Sequence, residues 1–191
     1  MAEEAGQVLE EEFDAEAEAR RRLALAQIRQ YPDPALRMQA REVESFDDDL
    51  ARLVDKMMLL MQDASGVGLA ATQVGVLRRL FVFRRDADGQ PESVVNPRLT
   101  ERSDEVEGAE EGCLSIQGVR VPVERALRVT LEGQSVEGRG LRLELDGLAA
   151  RVVQHELDHL DGVLILDRTT PEARRDALGI LRPRPVLTLT P

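Results

Sequence analysis

Residues 146–162 read DGLAARVVQHELDHLDG. This stretch carries the punctuation of a helix, with Asp146 as an N-terminal cap and Gly162 as a stop. The spacing predicts a helix from about Gly147 to Asp161. His155 and His159 are four residues apart, so their imidazoles share one face and can bind one metal ion. Glu156 sits one step around the helix, where its carboxylate reaches a water beside the metal without ligating it. The plainer alternative is a surface helix with two histidines by chance. Against it, the chain has 191 residues and two histidines, and both fall in this pattern.

Two imidazoles leave a catalytic metal short of ligands. Histidine is exhausted, and after His159 the one glutamate is Glu172, too close for a long return helix. The remaining soft donor is Cys113, the single cysteine. A thiolate with two imidazoles and one open position is a catalytic arrangement. Cys113 alone would read as a small buried residue. Its setting, Glu110-Glu111-Gly112-Cys113-Leu114-Ser115, changes that weighting, because Gly112 lets the backbone come close.

A third element runs from Gly66 through Val67, Gly68, Leu69, Ala70, Ala71 and Thr72 to Gln73. It lacks the Lys-Ser/Thr of a phosphate loop and the GxGxxG spacing of a dinucleotide site. A tight turn between a helix and a strand is the plainer reading. Small residues at Gly66, Val67 and Gly68 leave room for a substrate chain, and the Gln73 amide is a candidate donor to a developing oxyanion. On the helix, Leu148, Val152, His155 and His159 succeed one another along one face, with Arg151 alongside. That makes an apolar surface suited to a thioether, with packing of the core as the alternative. Arg151 would then orient polar substrate groups at the pocket mouth.

Away from these motifs, a helical pattern runs from about Val8 to Gln30, acidic and then basic, ending at Tyr31-Pro32-Asp33-Pro34. A second helix starts at Asp47-Asp48-Asp49, buries Leu50, Leu53, Val54, Met57, Met58 and Met61, and ends near Ala64 to Gly66. Strands are expected at Leu80 to Phe83, Ser93 to Asn96, Val119 to Val123, Arg128 to Leu131 and Leu141 to Leu145, with a turn at Asp88-Gly89. A last short helix begins at Thr170-Pro171-Glu172, and the tail from Arg182 reads as extended. Strands clustered between helices without βαβ alternation point to an α+β fold, with mixed or antiparallel sheets around the HExxH helix and helices at both ends.

Composition narrows the partners. The net charge of −11 argues against gripping a nucleic-acid backbone, so no direct DNA binding is expected. A single cysteine excludes an intramolecular disulfide and suits a reducing cytosol. No apolar run is long enough to span a bilayer, and the N-terminus lacks signal-peptide character. A cytoplasmic location is the expectation.

The three motifs, in this order, resemble those of the peptide deformylase family: GxGLAAxQ at Gly66 to Gln73, EGCLS at Glu111 to Ser115, and HExxH at His155 to His159. The likeness spans about Ile28 to Leu181, dividing the chain into an acidic extension at 1–27, a catalytic domain at 28–181 and a proline-rich tail at 182–191. The resemblance implies removal of the formyl group from N-formylmethionine of new polypeptides, with transient ribosome contact. It implies one divalent ion, natively Fe2+ in many members and Zn2+ or another ion in some. It further implies ligation by Cys113, His155 and His159, acid/base work by Glu156, and oxyanion donors at Gln73 and the Leu114 N–H. Gly68 would contact the substrate backbone. Gln117 stands where many members carry proline.

Overall fold

The computed structural model describes residues 15–182. Helix α1 covers 15–25 within them. It ends five residues before Gln30, short of the expected length, and the expected start at Val8 lies outside the described residues. Ala24, Leu25 and Ile28 are buried, so the end of α1 is fixed by packing rather than by the later prolines. Helix α2 (Asp48–Asp63) follows the sequence reading closely. Its cap is Asp47, whose carboxylate accepts from Leu50 N at 2.9 Å, and its buried face is Leu50, Val54, Met57, Leu60 and Met61.

The strands are β1 (Gly68–Ala70), β2 (Leu80–Phe83), β3 (Glu92–Arg102), β4 (Val106–Cys113), β5 (Ile116–Ala126), β6 (Arg128–Gln134) and β7 (Gly140–Asp146). β1-β2-β3-β6-β7 form a five-stranded sheet and β4-β5 a separate hairpin. Every pairing between these strands is antiparallel. β1 and β4 were not foreseen. β4 reads VEGAEEGC, whose acids and glycines hide the period-two pattern.

Helix α3 (Gly147–Leu160) lies across the five-stranded sheet. Strand β2 is apolar throughout because both its faces are covered: Leu80 and Val82 join α1 and α2, whereas Phe81 and Phe83 join α3. On α3 that second core takes Ala149, Ala150, Val152, Val153, Leu157 and Leu160. Gly162 stops the helix at φ +73°, and a Cβ there would meet Arg37 O at 2.6 Å, so glycine is required. Asp146 occupies the cap position but makes no side-chain capping bond, unlike the expectation.

Two short elements finish the chain, α4 (Ile165–Arg168) and α5 (Pro171–Leu181), the latter capped by Thr170. Leu164, Ile165, Leu166 and Ala177 pack on the inward residues of β5, Ile116, Val119, Val121 and Val123. The hairpin thus has its own core, and its β4 end is delivered to the middle of α3.

Candidate metal centre and cleft

Helix α3 supplies His155, Glu156 and His159, and the end of β4 supplies Cys113. One donor atom from each of Cys113, His155 and His159 lies within 4.8 Å of the others. Cys113 Sγ is 3.2 Å from His159 Nε2. His155 Nδ1 is 2.9 Å from Glu111 Oε2, so its other ring nitrogen is left for the cluster. His159 is anchored from behind, where its carbonyl accepts from Thr72 Oγ1 at 3.1 Å.

These residues fit a divalent ion. The donors are one sulfur and two imidazole nitrogens, a set that suits Fe2+ or Zn2+. Glu156 Oε2, beside these donors, is buried without a partner among the described residues. The surroundings act on the two histidines in opposite directions. Burial opposes protonation of His155, yet Cys113 and Glu111 together raise its pKa well above the ordinary value. Burial, followed by the charge of His155, lowers that of His159. Burial pushes the pKa of Glu156 up to about 7, with the His155 charge opposing. A carboxyl poised near neutrality suits proton transfer in either direction.

Gly68 makes this burial possible. β1 passes so close over Glu156 that a Cβ on Gly68 would lie 2.3 Å from its Oε1. After β1, a 3-10 turn (Ala71–Val74) carries Gln73. Its Oε1 accepts from Ala70 N at 2.8 Å, which fixes the amide and turns Nε2 toward Ser115 Oγ, 3.1 Å away, and Cys113 Sγ, 3.7 Å away. Leu114 lies in the turn between β4 and β5, and Gln30 Nε2 donates to its carbonyl at 3.0 Å.

A cleft of about 730 Å³ runs over the centre. It is lined by Gly66, Val67, Gly68, Gln73, Leu114, Leu148, Val152 and Glu156, among others. Gln117 lies on the cleft wall at the start of β5. Arg151 also borders the cleft. Its guanidinium is committed to Glu111 Oε1 and Val123 O, both at 2.9 Å, and to Glu107 O at 2.6 Å. Through Nη1 and Nη2 it braces the site.

The bracing group centres on Glu111, which was missed in the sequence. Both its oxygens accept from Arg125, at 3.0 Å each. Arg125 Nη1 also reaches Asp158 Oδ2 at 2.5 Å, and Arg168 Nε holds the same oxygen at 3.0 Å. Burial alone would raise the pKa of Glu111, but bonds from His155 and Arg125 hold it well below the usual carboxylate range. A signal existed: Arg125 continues the inward series Val119, Val121, Val123, and a charge at a core-facing position needs a buried partner.

Residues 25–175 match the family model described as polypeptide deformylase. Among curated proteins, a peptide deformylase of a Thermotoga species (strain RQ2) is 46% identical over 147 residues, covering 77% of this chain and 88% of the relative. Peptide deformylase 1 of Corynebacterium glutamicum is 44% identical, covering 84% and 96%. Among solved structures, peptide deformylase from Thermotoga maritima is 46% identical with a TM-score of 0.73, over 75% of this chain and 97% of that one. Peptide deformylase 1B of Arabidopsis thaliana, crystallised with an inhibitor, is 37% identical with a TM-score of 0.77, over 81% and 89%. With its three motifs converging on one cleft and these relatives matched over most of their length, the chain belongs to the peptide deformylase family.

Proposed function

We propose that the chain removes the N-formyl group from N-formylmethionyl nascent polypeptides, using one divalent ion held by Cys113, His155 and His159. Fe2+ is the native ion in this reading, and Zn2+ or another divalent ion can take its place. The observation that carries it is the convergence of these three donors within 4.8 Å beside a buried Glu156 with one unpartnered oxygen. When bound, such an ion supplies Lewis acidity, lowering the pKa of water and polarising a carbonyl.

The chain's own groups do the rest. Glu156 takes the proton of the attacking water and returns it to the leaving amine. The Gln73 amide and the Leu114 N–H stabilise the oxyanion that develops on the formyl group. Gly66, Val67 and Gly68 leave space for the peptide backbone. Leu148, nearly half exposed, and Val152 form the pocket for the methionine side chain. The thiolate of Cys113 offsets part of the dication's charge and makes it a milder acid.

Gln73→Ala should lower kcat about 10²–10³-fold, the usual effect of losing one oxyanion donor, with metal content unchanged. Metal analysis beside steady-state kinetics checks this, and loss of the ion instead would assign Gln73 to binding the metal site together. The reading itself is tested by formate release from formyl-Met-Ala with casein left intact. An endopeptidase of the HExxH type would cut casein.

The remaining expectations belong to the same reading. The chain divides into an extension at 1–27, a catalytic domain at 28–181 and a tail at 182–191, and acts in the cytoplasm in transient contact with the ribosome. No described helix is long and apolar enough to cross a membrane.

A further inference from the structure

The family match begins at residue 25, yet the cleft wall does not. Arg21 and Leu25, on α1, line the same cleft as His155 and Glu156, next to Ser65 and Gly66. α1 is held there firmly. Ala24, Leu25 and Ile28 sit in one buried cluster with Leu60, Met61, Ala64 and Leu69. The segment that follows is fastened to both site loops: Arg29 N donates to Gln73 O at 2.7 Å, and Tyr31 N to Ser115 O at 2.8 Å. The packed end of α1 lies at the edge of the matched region, and the exposed turn before it carries Arg21 to the cleft from outside that region.

The charge along this wall is unbalanced. Among the described residues Arg21 joins no ion pair, whereas its neighbour Arg22 lies 4.0 Å from Glu18. Seven other charged or ionisable side chains line the cleft: Cys113 and His155 of the metal cluster, with Glu110, Glu111, Arg120, Arg151 and Glu156. Glu111 pairs with Arg151 at 2.9 Å, His155 is engaged by Glu111, and Glu156 is buried. Arg120 donates to the carbonyl of Glu110 at 3.0 Å and keeps its charge, and Glu110 keeps its own. Among the described residues the rim therefore carries two guanidinium groups against one carboxylate.

We infer that Arg21 is a specificity-determining residue that favours an acidic side chain in the peptide downstream of formylmethionine. This rests on the deformylase reading. With the formyl group at Glu156 and the methionine side chain toward Val152 and Leu148, the following residues leave along the wall that α1 completes. An acidic group there gains a rim ion pair, and a basic one meets two like charges.

The test compares kcat/KM for formyl-Met-Ala-Asp and formyl-Met-Ala-Lys, both as C-terminal amides so that the terminal carboxylate does not compete. At low salt the aspartyl peptide should lead by up to about fivefold, as for an exposed ion pair. The lead should shrink as salt screens the rim. Arg21→Glu should abolish or invert the ratio, and Arg21→Lys should keep it. Equal rates with the wild-type chain, or a ratio that Arg21→Glu leaves unchanged, would overturn the inference. Absence of formate from both peptides would instead remove the deformylase reading, and this inference with it.

Discussion

Glu156→Gln should lower kcat for formyl-Met-Ala by about 10²–10⁴-fold while the chain still binds one metal ion. The amide keeps the volume that Gly68 packs against, so the fold has no reason to change. What it loses is the proton relay. In the ion-free site burial pushes Glu156 up to a pKa of about 7, which helps the carboxyl hold the proton between its work as base and as acid. If the centre were structural, the same variant would be silent. Near-normal turnover with full metal content would remove Glu156 from the chemistry.

The second large effect concerns stability. Arg125→Met should destabilise the folded chain by about 3 kcal/mol, the lower end for removing one partner from a buried ionic group. Arg125 is 6% exposed and is held between Glu111 and Asp158. Its loss leaves two buried carboxylates sharing Arg151, Arg168 and His155. A urea titration of the metal-loaded protein measures the change. The pH dependence has a definite sign. Glu111 has a depressed pKa, so its contribution is present above the ordinary 4.5 and is lost as pH falls through the folded value. Without Arg125 the depression is smaller, so the contribution is smaller and its loss is complete at a higher pH. Metal should also be held about 10–100-fold more weakly, because Glu111 orients His155. An unchanged urea midpoint together with unchanged metal affinity would show that Arg125 braces nothing.

The parts of this site that were legible in the sequence are those fixed by local geometry. His155 and His159 must share a face because a helix repeats every 3.6 residues. Cys113 followed from the scarcity of other donors. The α+β class followed from the order of the elements. What stayed hidden depends on pairing across the fold. Glu111 stood in the EGCLS motif without a role until β4 brought it to His155. The bracing by Arg151 was hidden too, because a sequence does not record which partners its Nη1 and Nη2 meet. β4 itself carries little alternation, since its partner β5 and its buried contacts, rather than its own pattern, hold it in a strand. The role of α1 was invisible for a similar reason, because the sequence placed it in an extension before the catalytic domain, whereas its last turns line the cleft.

The central claim is that a single ion at Cys113, His155 and His159 enables deformylation by this chain. The direct measurement is formate release from formyl-Met-Ala as metal-free protein is titrated anaerobically with Fe2+. The account predicts a rate that rises in proportion to added ion and breaks at one equivalent per chain. Formate release at full rate without metal, or no release at one bound equivalent, would contradict it.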